Sequence, residues 1–341
     1  MMKNVTHIFL ILILPIFAFG QWEKISIDSD ASFRGLKSYK NNIWASGTKG
    51  TAIFSNDKGK NWSILKIKDA ENLDFRDICI INQNNILLMS AGLSEKGAAK
   101  IFRTKDGGKN WELIFEKSQI GYFFDAIQYD SKTKLGLLVS DPVEGQFQFF
   151  TFNEQGENFK SLRINKFPQL LPKEAAFAAS GSSLFYKNGI ATLITGGAKI
   201  ARVFQSEKGD LSKWEIKNQE IEADSSSGFF SIGTDGKNKL MIAGGNYLKL
   251  NENKIPLLHS KNAGENWNQL GITPNFYIEK VIWSKHNWIF TGPTETAIYN
   301  LKTKKWRSLG KSKYHNIIEI NGYLIGVGAK GEIGRLKLEK F

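Results

Sequence analysis

Ser55-Asn56-Asp57-Lys58-Gly59-Lys60-Asn61-Trp62 and Thr104-Lys105-Asp106-Gly107-Gly108-Lys109-Asn110-Trp111 follow one pattern, Ser/Thr-x-Asp-x-Gly-x-x-Trp. A third copy, Ser260-Lys261-Asn262-Ala263-Gly264-Glu265-Asn266-Trp267, has Asn in place of Asp. Weaker copies end at Phe159, Trp214 and Trp306. The pattern has the chemistry of a hairpin turn. A short Asp or Asn side chain accepts backbone N–H bonds inside the turn and tolerates its geometry. Glycine supplies the positive φ that lets the chain reverse. The aromatic then opens a strand and packs on the neighbouring repeat. Asp57, Gly59, Trp62, Asp106, Gly108, Trp111, Asn262, Gly264 and Trp267 are therefore read as structural, and the two acids are not read as catalytic.

A second register runs through the same chain. Apolar runs end in a small or turn-forming residue at Gly47, Gly92, Asp141, Gly196, Gly244, Gly292 and Gly328. Short apolar runs bounded by Gly, Asn and Lys read as strands, and no sustained helical period competes with them. Aromatics at the outer-strand position are Trp22, Trp62, Trp111, Phe159, Trp214, Trp267 and Trp306. Their mean spacing, roughly 47 residues, suits one four-stranded propeller blade. The expected fold is all-β: a seven-bladed β-propeller of four-stranded antiparallel blades. The last repeat, from Tyr314, lacks an outer aromatic strand, whereas Gln21-Trp22-Glu23-Lys24-Ile25 has that strand alone. Residues 21–27 are expected to complete the last blade, because an unclosed ring leaves an unpaired strand edge.

Residues 1–20 read as a secretory signal peptide rather than as fold. Lys3 gives a positive start, Ile8 to Phe19 is apolar, and Ala18-Phe19-Gly20 offers small residues before a cut at Gln21. The apolar run is shorter than the about 20 residues that span a bilayer, and no later stretch approaches that length. Residues 21–341 are thus expected to form one exported propeller, periplasmic or secreted, and monomeric. The 341-residue chain carries a formal net charge of +13 with no Lys/Arg cluster, which fits a solvated surface and not a nucleic-acid partner. The single Cys, Cys79, sits in an apolar strand pattern, so it reads as a buried thiol. With 4 His and 1 Cys, no metal-ligand set assembles at the usual spacing. No cofactor is expected.

The repeated turn matches the Asp-box, or BNR repeat. The chain resembles the Asp-box propellers of the photosystem II stability/assembly factor-like group and their wider sialidase-like relatives. Further segments that carry the resemblance are Phe33-Arg34-Gly35-Leu36, Phe123-Phe124-Asp125-Ala126-Ile127, Ser140-Asp141-Pro142-Val143, Glu174-Ala175-Ala176-Phe177-Ala178-Ala179-Ser180-Gly181 and Ser226-Ser227-Gly228-Phe229-Phe230-Ser231. The resemblance implies either an assembly chaperone, the role of the photosynthetic members, or an oxidoreductase, the name bacterial members often bear. No Gly-x-Gly-x-x-Gly fingerprint, Cys pair, haem motif or flavin motif accompanies that name here.

The sialidase-like relatives also imply a test for an enzyme. Their site needs three Arg on a carboxylate, a Tyr nucleophile with a Glu, and an Asp. The Arg residues of this chain are Arg34, Arg76, Arg103, Arg163, Arg202, Arg307 and Arg335, and no Arg-Ile-Pro segment occurs near the start. A glycoside hydrolase would need two carboxylates about 5–10 Å apart. Asp125, Asp141 and Glu174 are the candidates.

Propeller ligands gather at the channel mouth. Arg34 and Arg76 occupy equivalent places at the starts of repeats, Asp125 is the third-repeat equivalent, and His315 the last. Two guanidiniums there would favour a carboxylate or an acidic protein segment. Arg202 and Tyr247 belong to later repeats and complete the candidate set, with Tyr277 and Pro293 beside them. The expected function is a binding or assembly scaffold for a protein or glycan partner in the cell envelope. The alternative is an enzyme on the same face, an oxidoreductase or a glycoside hydrolase.

Overall fold

The computed structural model describes residues 21–338. The signal-peptide expectation falls on residues outside that range. Seven four-stranded antiparallel sheets follow one another around an axis. Their innermost strands are Phe33–Tyr39, Phe75–Ile80, Phe124–Asp130, Leu184–Lys187, Ser227–Thr234, Lys280–Ser284 and Tyr314–Ile320, which define blades 1 to 7 in order. The one helical turn among the described residues is the 3-10 segment Ser94–Lys96.

The ring closes between the two ends of the chain. Strand Glu23–Ile25 pairs with Ile333–Lys337, in the register Glu23↔Arg335, Lys24↔Gly334 and Ile25↔Ile333. Trp22, one residue earlier, stacks on Tyr314 at 4.7 Å and donates from Nε1 to Leu309 O at 2.9 Å. Blade 7 is thus built from both termini, and the edge of Ile333–Lys337 is covered by the N-terminal strand.

The core lies between blades rather than inside one. Phe33, Leu36, Ile43 and Ile53 of blade 1 pack on Ile320, Ile325 and Ile333 of blade 7. On its other side blade 1 meets Phe75, Ile78, Leu88 and Phe102 of blade 2 through Trp44 and Ala52. A strand covered on both faces has no reason to alternate, which is why Ile86–Ser90 is buried throughout.

The turns work as their residue types dictate. Ser55 Oγ donates to Asp57 Oδ1 at 2.9 Å, and the same oxygen accepts the Lys60 and Asn61 N–H groups. Asp106 repeats the arrangement with Thr104, Lys109 and Asn110, and Asn262 with Ser260 and Asn266. Bonds from the Asn110 backbone and side chain, then from Thr104, hold Asp106 down to about 2. Gly108 has φ +95°, and a Cβ there would lie 2.4 Å from the Trp44 ring of blade 1. The turn of blade 2 therefore seats its glycine on the preceding blade, and Trp111 meets the same Trp44 edge-on at 6.1 Å. Trp214 departs from the pattern. It lies inside strand Asp210–Ile216, buried against Phe149 of blade 3 at 4.9 Å.

Blade 4 is the irregular one. A long segment, residues 162–183, precedes its first strand, and a two-stranded ribbon, Ile200–Ala201 with Ile221–Glu222, flanks it. The end of the long segment crosses the axis and bonds to each of the six other blades. Arg34 and Arg76 Nη1 reach Ala179 O and Ala178 O, both at 3.5 Å. Gln128 Nε2 donates to Gly181 O at 3.0 Å, and Ser182 Oγ to Ser231 Oγ at 2.9 Å. Ser180 Oγ donates to Glu279 O at 2.7 Å, and Asn316 Nδ2 to Ser180 O at 3.1 Å. Gly181 has φ +62°, and a Cβ there would sit 1.9 Å from Asp77 Oδ1, so the crossing needs a residue without a side chain. Ala178 to Ser182 thereby plug the channel.

Candidate functional site

A single local device builds the channel mouth. The innermost strands of blades 1, 2, 3, 5 and 7 each carry a one-residue irregularity at their start, between Phe33 and Gly35, Phe75 and Asp77, Phe124 and Ala126, Phe229 and Ser231, and Tyr314 and Asn316. A β-bulge leaves its extra residue unpaired and re-aims the side chain. The residues so turned are Arg34, Arg76, Asp125, Phe230 and His315. In blade 6 Glu279 stands at the corresponding place, just before Lys280–Ser284. In blade 4 the plug takes that place.

Four of the eight sequence candidates share one pocket. Arg34, Arg76, Tyr247 and His315 line a concavity of roughly 520 Å³, together with Phe177, Phe230, Tyr277, Glu279 and Pro293. Its floor is the plug, through Ala178 and Ala179. One wall is aromatic: Phe177 and Phe230 are stacked at 4.0 Å with rings 3° apart, and Tyr247 meets both edge-on at 6.3 and 6.4 Å. The other wall is charged. Arg34 Nη1 lies 3.2 Å from Glu279 Oε1, and His315 Nδ1 lies 2.6 Å from Glu279 Oε2. Arg76 Nε lies 2.7 Å from Asp74 Oδ2.

The electrostatics follow from burial and pairing. Burial works against ionisation of Glu279, but Arg34 and then His315 outweigh it and hold the carboxyl below its usual range. Arg34 is held charged in turn, burial being overcome by Glu279. Tyr277 is pushed well up, first by burial and then by Glu279, so it is a hydroxyl and not a phenolate at neutral pH. Glu279 was missed at the sequence level. Blade 6 has no bulge there, and Ile278 stands before Glu279 where the bulged blades have an aromatic.

The other candidates lie elsewhere. Asp141 and Glu174 line a cleft of roughly 1000 Å³ between blades 3 and 4. Asp125 is wholly buried between this cleft and the pocket. Burial first, and then the neighbouring Asp141, pushes the Asp125 carboxyl well up, while Arg76 opposes the shift. Asp141 is pushed up by burial to about 7. Arg202 is not at the mouth. It is buried and clasps Glu174, with Nε to Oε1 at 2.8 Å and a second contact from Nη2 to Oε2. It also donates from Nη2 to Gln169 O at 3.1 Å. Of the three carboxyls proposed for glycoside hydrolysis, Asp125 is sealed off and Glu174 lines the cleft clasped by Arg202, which leaves Asp141 as the one at the cleft without an arginine on it.

Among the described residues, no group of three or more His, Cys, Asp or Glu side chains could hold a metal ion, and no helix is long and apolar enough to cross a membrane.

No protein-family model matches the chain, and no curated protein sequence does. Solved structures do. A structure of YCF48 bound to a D1 peptide is 14% identical, with a TM-score of 0.66, over 95% of this chain and 99% of that one. YCF48 from Cyanidioschyzon merolae is 15% identical with a TM-score of 0.66, covering 93% of this chain and 99% of that one. The GH74 xyloglucanase from Xanthomonas campestris is 13% identical with a TM-score of 0.65, covering 94% of this chain and 54% of that one. At these identities the likeness shows a shared propeller fold.

Proposed function

We propose that this chain is an exported binding protein, an assembly scaffold that takes an acidic segment of a protein partner at the mouth of its channel. The observation that carries the reading is the pocket itself. Arg34 and Arg76 stand over a closed floor, opposite stacked aromatics. Guanidiniums grip carboxylates with directed N–H bonds, and an apolar wall beside them strengthens that grip by excluding water. An acidic protein segment supplies both the carboxylates and the side chains for the aromatic wall, which a neutral glycan does not. The chain's net charge of +13 favours the encounter. The peptide named in the YCF48 structure occupies a protein of the same fold. Location outside the cytoplasm is supported by the pattern of Lys3 and the apolar run to Phe19.

The test is a pull-down from the envelope fraction with wild-type protein and with R34A/R76A protein. A specific partner retained by the first and lost by the second is the expected result. Equal recovery by both proteins, or none by either, overturns the reading.

One observation favours a second reading, an enzyme in the same pocket. Glu279 engages His315 Nδ1 at 2.6 Å, the way a carboxylate orients a general base. Turnover of glycosides or redox dyes by the purified protein, abolished in His315→Ala, would establish that reading.

A further inference from the structure

The cleft between blades 3 and 4, roughly 1000 Å³ against roughly 520 Å³ for the pocket, is left unused by the binding reading. Its walls mix polar side chains such as Asn165 and Gln169 with apolar ones, among them Leu93, Phe123, Phe167 and Leu170. Leu93 is 40% exposed at its edge, and Ile120, next to the lining residue Gly121, is 78% exposed. Large apolar side chains left in water around a concavity mark a surface that meets something.

Cleft and pocket are built on one stretch of chain. Glu174 and Ala175 line the cleft, and Phe177, Ala178 and Ala179 line the pocket. Ala176, between them, donates its N–H to Asp141 Oδ1 at 3.1 Å. Ala175 and Gly196 exchange two backbone bonds at 3.0 Å, and Arg202 fixes Glu174. The divide between the two concavities is thus a pinned ridge about one residue wide, and a ligand crossing it orders nothing in the protein. Charge changes across the ridge. Arg34 and Arg76 offer cationic groups on one side, while on the other the charged lining is Asp141, Glu144, Lys173 and the Arg202-paired Glu174, with apolar side chains beside them.

We propose that pocket and cleft are two subsites of one groove for an extended polypeptide, whose acidic residues sit at Arg34 and Arg76 and whose apolar residues, of the Leu and Pro class, sit between blades 3 and 4. This rests on the acidic-segment reading above. That reading needs only the pocket; the groove adds an apolar requirement one side of the acidic one.

The probes are a labelled tetraglutamate peptide, the same peptide extended by about ten residues of mixed Leu, Pro and Ala at either end, and the extension alone. Ten extended residues reach about 33 Å, enough to cross from one concavity into the other. Wild-type protein should bind one of the extended peptides at least tenfold tighter than tetraglutamate. Leu93→Asn, at an exposed position, and Leu93→Asn with Leu170→Asn should cut that gain below threefold while tetraglutamate affinity stays the same. Arg76→Gln should weaken tetraglutamate and the extended peptide alike. Tetraglutamate binding with no gain from either extension overturns the groove and leaves the pocket reading standing. A gain that survives both cleft variants, or that the extension shows alone at equal affinity, also overturns it. No binding of tetraglutamate or of either extended peptide removes the acidic-segment reading and the groove together.

Discussion

Glu279 of blade 6 meets Arg34 of blade 1 at 3.2 Å, although blade 7 stands between them in the ring. The same carboxylate holds His315 of blade 7 at 2.6 Å. One buried acid thus ties together the closing blade and both of its neighbours, and it does so inside the proposed binding pocket. It also competes for the Arg34 charge that an acidic ligand would use. Fold and binding therefore pull on Arg34 in opposite directions.

Glu279→Gln separates the two. Removing one partner of a buried pair leaves the other uncompensated, at a cost of about 3 kcal/mol. Urea unfolding should show that loss. Calorimetry with an acidic peptide should show tighter binding, because Arg34 is released. Weaker binding would mean that Glu279 helps hold the ligand.

The carboxyls of Asp125 and Asp141 give stability a pH dependence of definite sign. Burial raises Asp141 from 3.8 to about 7, and burial and Asp141 raise Asp125 in the same direction. Between the unfolded and folded values the native state binds more protons, so stability falls as pH rises from 3.8 to about 7. Across that range the melting temperature of wild-type protein should fall relative to that of Asp141→Asn, which keeps an acceptor for the Ala176 N–H. An equal slope in both proteins would assign the dependence to other groups.

Arg202 is expected to act on the fold alone. Its side chain is 10% exposed against a Glu174 carboxylate that is 0% exposed. Arg202→Gln should cost about 3–5 kcal/mol, as the breaking of a buried pair does. Acidic-peptide affinity at the channel mouth should not change in folded variant protein. A drop in affinity at unchanged stability would return Arg202 to the binding site.

Ring closure can be probed at Trp22. The ring is half-buried, stacks on Tyr314 and donates to Leu309 O. Trp22→Ala should cost about 2 kcal/mol, less than a fully buried Trp because part of the surface is already wet. Protease should then cut first within residues 21–27, releasing the edge of Ile333–Lys337. Cleavage elsewhere with the N-terminal strand retained would show that closure does not rest on this contact.

Legibility in the sequence followed the range of the interaction. Asp57 and Asp106 bond to residues three and four ahead, so their turns could be named from a string of eight. Arg34, Arg76, Asp125 and His315 were placed as equivalents because an aromatic precedes each. That aromatic is the last paired residue before the bulge. Tyr247 came from loop position alone. Glu279 had no such neighbour. Trp214 sits in the outer strand of blade 4, as its spacing predicts, but well inside that strand and not at its start, because the turn there is a tight hairpin around Gly209 and not the eight-residue loop.

By itself the sequence determined the strand-and-turn repeat, the number of blades and the joining of the segment at residues 21–27 to the last one. Those properties rest on backbone geometry and turn chemistry, which act within a few residues, and on a count. Only the tertiary structure decided which charged groups meet. Whether Arg202 faces a ligand or Glu174, whether Asp125 is open or sealed, and whether residues 178–182 run over the surface or across the axis depend on how seven sheets stand around a centre. Electrostatic pairing and burial are set by distances between chain segments from tens to hundreds of residues apart, such as Glu174 with Arg202 and Arg34 with Glu279, and no local pattern encodes them.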